Sequence, residues 1–304
     1  MGVAALDIIA LVPAIPGSDG RVVAREWVVA GGGPAATAAV TVARLGVPVA
    51  FVGAVGDDDE GDRILADLVV QGVDISGVAR VAGSRSGVCM VVVDQSSGDR
   101  MIVSRPGPEV RVRPGERASE LLATSEWVHV DHMGWAAVRS REEQMRARLS
   151  VDGGNPIPQF SPAEVDLYVP TVAALRARYG DRPTPELLAA ALADGASCVV
   201  ATQGGEGAVA AERDGDRSEV GALEVDVVST LGAGDVFHGA LLATTVLGLP
   251  LAERLGFANT VAALSCRSLD GRSAIPTYEE AVAALQSTGR PTPGLVSGSR
   301  PKTR

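Results

Sequence analysis

Asp235 is the residue of this chain best placed to do chemistry. It closes the segment Ser229-Thr230-Leu231-Gly232-Ala233-Gly234-Asp235, and Val236-Phe237-His238-Gly239-Ala240-Leu241 continues it as an apolar helical pattern. A glycine-rich turn at a helix start leaves several backbone N–H groups without acceptors, and such a cradle holds a phosphate readily. A carboxylate beside it can take a proton from an attacking hydroxyl. An anion hole next to a base is what phosphoryl transfer to an alcohol requires. The helix dipole favours the charged carboxylate, so Asp235 is expected to be ionised at neutral pH. A helix start with closely packed glycines and a dipole-complementing acid has the same local pattern, so the motif needs support from elsewhere.

Other segments offer weaker chemistry. Gly31-Gly32-Gly33-Pro34-Ala35-Ala36 enters a helical run over 37–45, and glycine there lets a hydroxyl-rich ligand approach the backbone. It also fits Gly-x-Gly-x-x-Ala, a dinucleotide fingerprint, but a hairpin-like segment precedes it where that fingerprint needs a central strand. Thr202-Gln203-Gly204-Gly205-Glu206-Gly207 reads as a turn between two strands. His129, His132 and His238 lack metal-ligand spacing, so no metal-binding residue is assigned.

The elements that must position these residues alternate between strand and helix, which argues a parallel sheet covered by helices. Strands are expected at 2–11, 49–55, 127–130, 149–151, 167–169 and 198–201, with a β-branched run at 225–228 leading into the glycine turn. Asp57-Asp58-Asp59 opens a helix whose Ile64, Leu65, Leu68 and Val69 share a face, and Thr184-Pro185 reads as a capped helix start. Helices follow at 236–247, 251–268 and 278–285. Two regions, about 10–30 and 86–104, break the rhythm with short strands at 21–23, 26–29, 88–93 and 101–103. They predict a small separate sheet that needs another surface to bury its face. Residues 287–304 are rich in Gly, Pro, Ser and Arg and read as a disordered tail.

Composition bounds the partners. With 304 residues, 46% hydrophobic, the chain can bury a large core, and with 3% aromatics that core must be mostly Ala, Val and Leu. A formal charge of −10 argues against nucleic-acid or anionic-membrane partners. Cys89, Cys198 and Cys266 lie far apart in apolar runs and read as thiols of a reducing, cytoplasmic compartment. Neither a membrane span nor a signal peptide is expected.

Taken in order, the motifs resemble the ribokinase-like carbohydrate kinases, the phosphofructokinase B family. Gly2-x4-Asp7, Gly31-Gly32-Gly33 leading to Ala43-Arg44-Leu45-Gly46, Val55-Gly56-Asp57-Asp58, Thr202 to Gly207, Gly232-Ala233-Gly234-Asp235 and Gly271-Arg272-Ser273-Ala274-Ile275-Pro276 carry the resemblance. It implies one Rossmann-like three-layer α/β domain over 1–286 with a small β-sheet lid. It implies that Asp235 is the base, that Gly232, Ala233 and Gly234 form the anion hole, and that Asp7, Gly32 and Gly33 hold sugar hydroxyls. Thr202, Gly204, Gly207 and Asn259 match the nucleotide side, ATP with Mg²⁺ is the implied donor, and a lid-mediated homodimer is implied.

The chain departs from the family pattern at several points. Ala5 and Ala36 replace asparagines that bind sugar in many members, Thr171-Val172-Ala173-Ala174 replaces the Asn-x-x-Glu tied to magnesium, and Ser229 replaces an Asp tied to a monovalent cation. Segments 31–46, 234–241 and 271–276 are most similar to bacterial sulfofructose kinases. That resemblance favours a ketose or ketose-like, anionic acceptor, and a sulfonate needs positive or N–H donors. Arg21 and Arg105 on the lid segments are the expected cations, while Met133 stands where that branch offers one. A nucleoside kinase, or a kinase-fold binding protein without turnover, is the competing reading.

Overall fold

The computed structural model describes residues 1–140 and 145–289. Its body is a sheet in the order β12-β11-β10-β9-β8-β7, built from β7 (Trp127–Val130), β8 (Arg148–Asp152), β9 (Leu167–Val169), β10 (Cys198–Thr202), β11 (Ala208–Glu212) and β12 (Arg217–Val220). The β7 to β10 pairs are parallel, and β11 and β12 close the edge antiparallel. Short apolar runs form these strands because both faces are covered, leaving Val130, Val151, Val199 and Val200 fully buried.

The chain's first residues extend this sheet. The Met1 amine donates to the His129 carbonyl at 2.6 Å, Asp131 N–H donates to the Met1 carbonyl, and Gly2 N–H donates to the Val52 carbonyl at 3.0 Å. These bonds join β7 to β3 (Ala50–Gly56), which pairs in parallel with β4 (Asp74–Val81). The strand expected over 2–11 therefore serves two sheets. Its start lies in the body, and β1 (Ala5–Val12) belongs to the lid.

The lid sheet runs β2-β1-β5-β6, with β2 (Glu26–Gly32), β5 (Gly87–Asp94) and β6 (Arg100–Arg105). Residues directly opposite across the ladders share a face, so Val28, Ile9, Leu11, Val91 and Val93 form one side and pack on Leu231 and Leu269 of the body. Trp27, Val29, Met90, Met101 and Val103 lie on the other side and are exposed. The expected strand at 21–23 is absent, because 17–25 is irregular and leads into β2.

Helices cover both faces: α1 (Pro34–Arg44), α2 (Asp59–Val70), α3 (Arg117–Thr124), α4 (Trp135–Arg139), α5 (Val172–Tyr179), α6 (Thr184–Ala193), α7 (Ala233–Val246), α8 (Leu251–Ser265) and α9 (Tyr278–Ser287). α1 is almost entirely buried, which its Ala-rich sequence permits, and packs closely against α7. Asp58 caps α2, accepting from Gly61 N–H at 2.9 Å. Thr184 does not cap α6. It is already helical, and Pro183 occupies the cap with no side-chain bond. Residues 225–228 form no strand; their backbone is tied to the end of α8, with Val228 N–H donating to the Cys266 carbonyl. α8 ends at Ser265, before the expected 268, and Ser287 of the expected tail closes α9. Residues 290–304 of that tail lie outside the described residues. No helix among the described residues is long and apolar enough to cross a membrane.

Candidate active site

Asp235 stands in the first turn of α7, after Gly232 at φ +74°. That left-handed backbone suits glycine, and a Cβ there would stand 3.1 Å from Gly271 Cα. Val236 N–H bonds back to the Gly232 carbonyl and Ala233 N–H to the Thr230 carbonyl at 3.3 Å. The N–H groups of Gly234 and Asp235 find no backbone acceptor among the described residues, and the space at the Gly234 Cβ position is open for 4 Å. An open helix N-terminus is therefore present at the place the sequence indicates.

The carboxylate itself differs from expectation. Burial pushes Asp235 up to about 7, and the Asp152 carboxylate adds to the shift, while His238 and Arg272 oppose it and Asp131 reinforces it. The dipole argument alone predicted an ionised acid. The dipole is opposed first by burial and then by further acids that the parallel strands bring near: Asp131 follows β7 and Asp152 ends β8. Asp131 is committed to backbone donors, accepting from Val3, Ala35, Met133 and Gly134 at 2.7, 3.3, 3.0 and 2.9 Å, respectively. Asp152 accepts from Gly154 N–H at 2.8 Å and lies 3.2 Å from His238 Nε2. Burial pushes Asp152 upward, but His238 outweighs it and holds the carboxyl below the usual carboxylate range.

Asp7 enters from the lid side, on β1. It is buried, with no partner for Oδ1, and Gly32 lies so close that a Cβ there would overlap its carboxylate. Burial pushes Asp7 up to about 6, partly offset by Arg272. Gly33, at φ +92°, turns the chain from β2 into α1. Gly31 and Gly32 thus end an antiparallel lid strand and Gly33 follows it, which excludes the dinucleotide fingerprint.

Arg272, in the Gly271–Pro276 motif, ties Gly32, Thr37 and Asp67 together. It is buried and donates to the Gly32 carbonyl at 2.8 Å, Asp67 Oδ2 at 2.6 Å and Thr37 Oγ1 at 3.2 Å. A lone Arg in a Gly-Arg-Ser turn carries no sequence signal that it will be buried among acids.

The two lid arginines fall elsewhere. Arg105 pairs in register with Val88, and Val88 with Leu6, so it lies on the face opposite Asp7, Cys89 and Ser104. Its guanidinium donates to the Ser86 carbonyl at 3.1 Å and lies 3.5 Å from Glu60. Arg21 is exposed on the irregular segment. The lid cation on the cleft face is Arg100, opposite Val93, which donates to Thr230 Oγ1 at 2.8 Å. The one-residue alternation of a strand explains the position of Arg105.

Among the residues expected on the nucleotide side, Thr202 ends β10 and Gly204 (φ +59°) and Gly207 (φ +103°) shape the following turn. Asn259 is buried in α8 with no partner for Oδ1. These features fit a nucleotide. A protein-held magnesium ion fits less well: Thr171 Oγ1 is occupied capping α5 from Ala174 N–H at 3.0 Å, and Ala174 has no side-chain oxygen. Among the described residues the acids with metal-holding spacing are Glu212, Asp214 and Asp216, at the opposite ends of the strands from Asp131 and Asp152.

Residues 1–278 match the pfkB family carbohydrate kinase profile. The chain is 29% identical to an ATP-dependent ribose-1-phosphate kinase from Halopiger xanaduensis over 302 residues, covering 92% of this chain and 95% of that one. It is 26% identical to fructokinase-1 of Oryza sativa, covering 87% and 91%. A solved structure from Agrobacterium tumefaciens assigned as a ribokinase superposes with a TM-score of 0.84 at 28% identity, covering 95% and 97%. The fold is the ribokinase-like α/β fold, and the protein is a phosphotransferase with an alcohol acceptor. It belongs to the pfkB family of carbohydrate kinases.

Proposed function

We propose that residues 1–286 form one ATP-dependent kinase unit that phosphorylates a hydroxyl of a ketose or ketose-like sugar. Asp235 beside the open head of α7 carries this reading. Asp235 takes the proton of the acceptor hydroxyl as its oxygen bonds to the γ-phosphorus and the bond to the ADP oxygen breaks. The N–H groups of Gly232 and Gly234, joined by that of Ala233 when it gives up its long bond to the Thr230 carbonyl, receive the charge of the transferred group. Asp7 and the Gly32–Gly33 backbone hold sugar hydroxyls, and Thr202, Gly204, Gly207 and Asn259 line the nucleotide. ATP as donor is supported by the ATP-dependent relative. Magnesium enters with the nucleotide phosphates, since Thr171 to Ala174 supply no carboxylate.

An anionic acceptor, as in sulfofructose kinases, draws support from segments 31–46, 234–241 and 271–276, which build the cleft. Arg100, on the cleft face, replaces Arg105 as the cation for such a group. Trp27, Val29, Met90, Met101 and Val103 form exposed apolar rows on the outer lid face, and a second copy of the chain covers them in this reading. Sedimentation of wild type against Trp27→Glu checks that dimer.

An ADP-release screen over ketoses, aldoses, sugar phosphates, sulfosugars and nucleosides tests the assignment. Turnover is expected with a ketose-like acceptor. A nucleoside preference replaces it with a nucleoside kinase. Binding without ADP release favours the turnover-deficient reading, which the Thr171 to Ala174 segment supports.

A further inference from the structure

Beneath Asp235 lies a buried polar group that the phosphoryl-transfer reading does not use. His238 sits three residues along α7, so both side chains project from one helix face, roughly 5–6 Å apart at Cβ. The imidazole is 7% exposed; its Nε2 meets Asp152 Oδ1 at 3.2 Å and its Nδ1 has no partner among the described residues. The His129 ring stacks at 5.2 Å, inclined by 35°, with its Nδ1 3.0 Å from Ser150 Oγ. A buried ion pair adds little net stability over an apolar pair of similar size, so packing alone does not call for it.

We infer that His238, fixed by Asp152, is a positioning residue for Asp235: an imidazolium that neutralises Asp152 and so lets Asp235 carry its own charge beside it. The inference rests on reading Asp235 as the base. The Asp152 charge raises the proton affinity of Asp235, and two desolvated carboxylates that interact compete for one proton, so without the imidazolium Asp235 is the one held protonated. The groups facing Asp235 are Asp152 from β8, Asp131 after β7, His238 on its own helix and Arg272 from the turn before α9. Those facing His238 are Asp152, Asp235 and the His129 ring. Burial works against the charged imidazole, yet Asp152 and Asp235 hold its proton above the ordinary histidine value. His129 behaves oppositely. Burial and the neighbouring His238 push it well down, the direction opposite to that of His238.

Two measurements test this. The acid limb of kcat/KM against pH is expected to move up by about one pH unit in His238→Asn, where Asp152 faces Asp235 unpaired, and to return towards wild type in the double variant with Asp152→Asn. Proton NMR reads the same coupling without activity, the chain having three histidines to assign. The His238 midpoint is expected to fall by a similar amount in Asp235→Asn, because linkage between two sites is reciprocal. An unmoved acid limb in folded His238→Asn overturns the inference. So does an unmoved His238 midpoint in Asp235→Asn, and that result decides alone if His238→Asn does not fold. Failure of the base reading looks different: Asp235→Asn would keep its turnover while the His238 midpoint still shifts.

Discussion

Asp7 is buried and Asp235 half-buried, and both resist ionisation, but their surroundings differ. Asp235 sits at a helix head, with Asp152 and Asp131 pressing its proton on and a histidine and an arginine pulling it off. Asp7 sits in the middle of a lid strand, with Arg272 and the Cys89 thiol as its stabilising neighbours and one oxygen unpartnered. A carboxylate poised near 7 suits a group that must gain and lose a proton. One with an orphaned oxygen beside glycine backbone suits a group that must receive a ligand's hydroxyl. The contrast teaches that burial raises proton affinity in both regions, and that the remaining neighbours separate the proposed base from the proposed binder.

The contrast breaks most sharply at Asp235. Asp235→Asn is expected to lower kcat by about 100-fold or more with KM little changed, the scale of losing a general base. Near-normal turnover by folded protein would remove it from the chemistry. Asp7→Asn is expected to do the reverse, raising the sugar KM by roughly tenfold, a lost charged hydrogen bond, with a smaller effect on kcat. A kcat loss as deep as that of Asp235→Asn would erase the distinction.

Stability sharpens it next. An acid whose folded pKa is raised costs stability as pH rises from the ordinary carboxylate value through the folded one, because the folded state then holds more protons than the unfolded. For Asp235 that window runs from 3.8 to about 7, and the cost is full above it. Asp235→Asn should therefore be more stable than wild type at pH 8, by on the order of 1 kcal/mol after allowing for partial exposure, and no more stable at pH 4. Thermal melts at both pH values check the sign.

Potassium gives the smallest effect. Ser229 is buried and its hydroxyl accepts from Leu231 N–H at 3.2 Å, so the position of the family's carboxylate brings no charge to a cation. Turnover in potassium and choline chloride at matched ionic strength should agree within about twofold, since a missing charge pair forfeits several kcal/mol at contact. A tenfold rise with potassium would overturn it.

Much of this protein was legible in its residues. Glycine triplets, the Gly-Ala-Gly-Asp turn and the strand–helix rhythm are local, and local backbone chemistry fixes what they can form. Helix α7, the lid hairpin and the glycine turn from β2 into α1 follow from them. The sequence also showed what is missing, the carboxylates at Ser229 and Ala174. Three features lay beyond it. Which face Arg105 takes depends on a register of single residues, and the ladder put Arg100 on the cleft side. The charge state of Asp235 depends on Asp131 and Asp152, which parallel pairing brings to one end of the sheet from far along the chain. The burial of Arg272 and the His238–Asp152 pair depends on the same convergence. Electrostatics acts through space in a desolvated cleft, so the tertiary structure alone decided which charges meet.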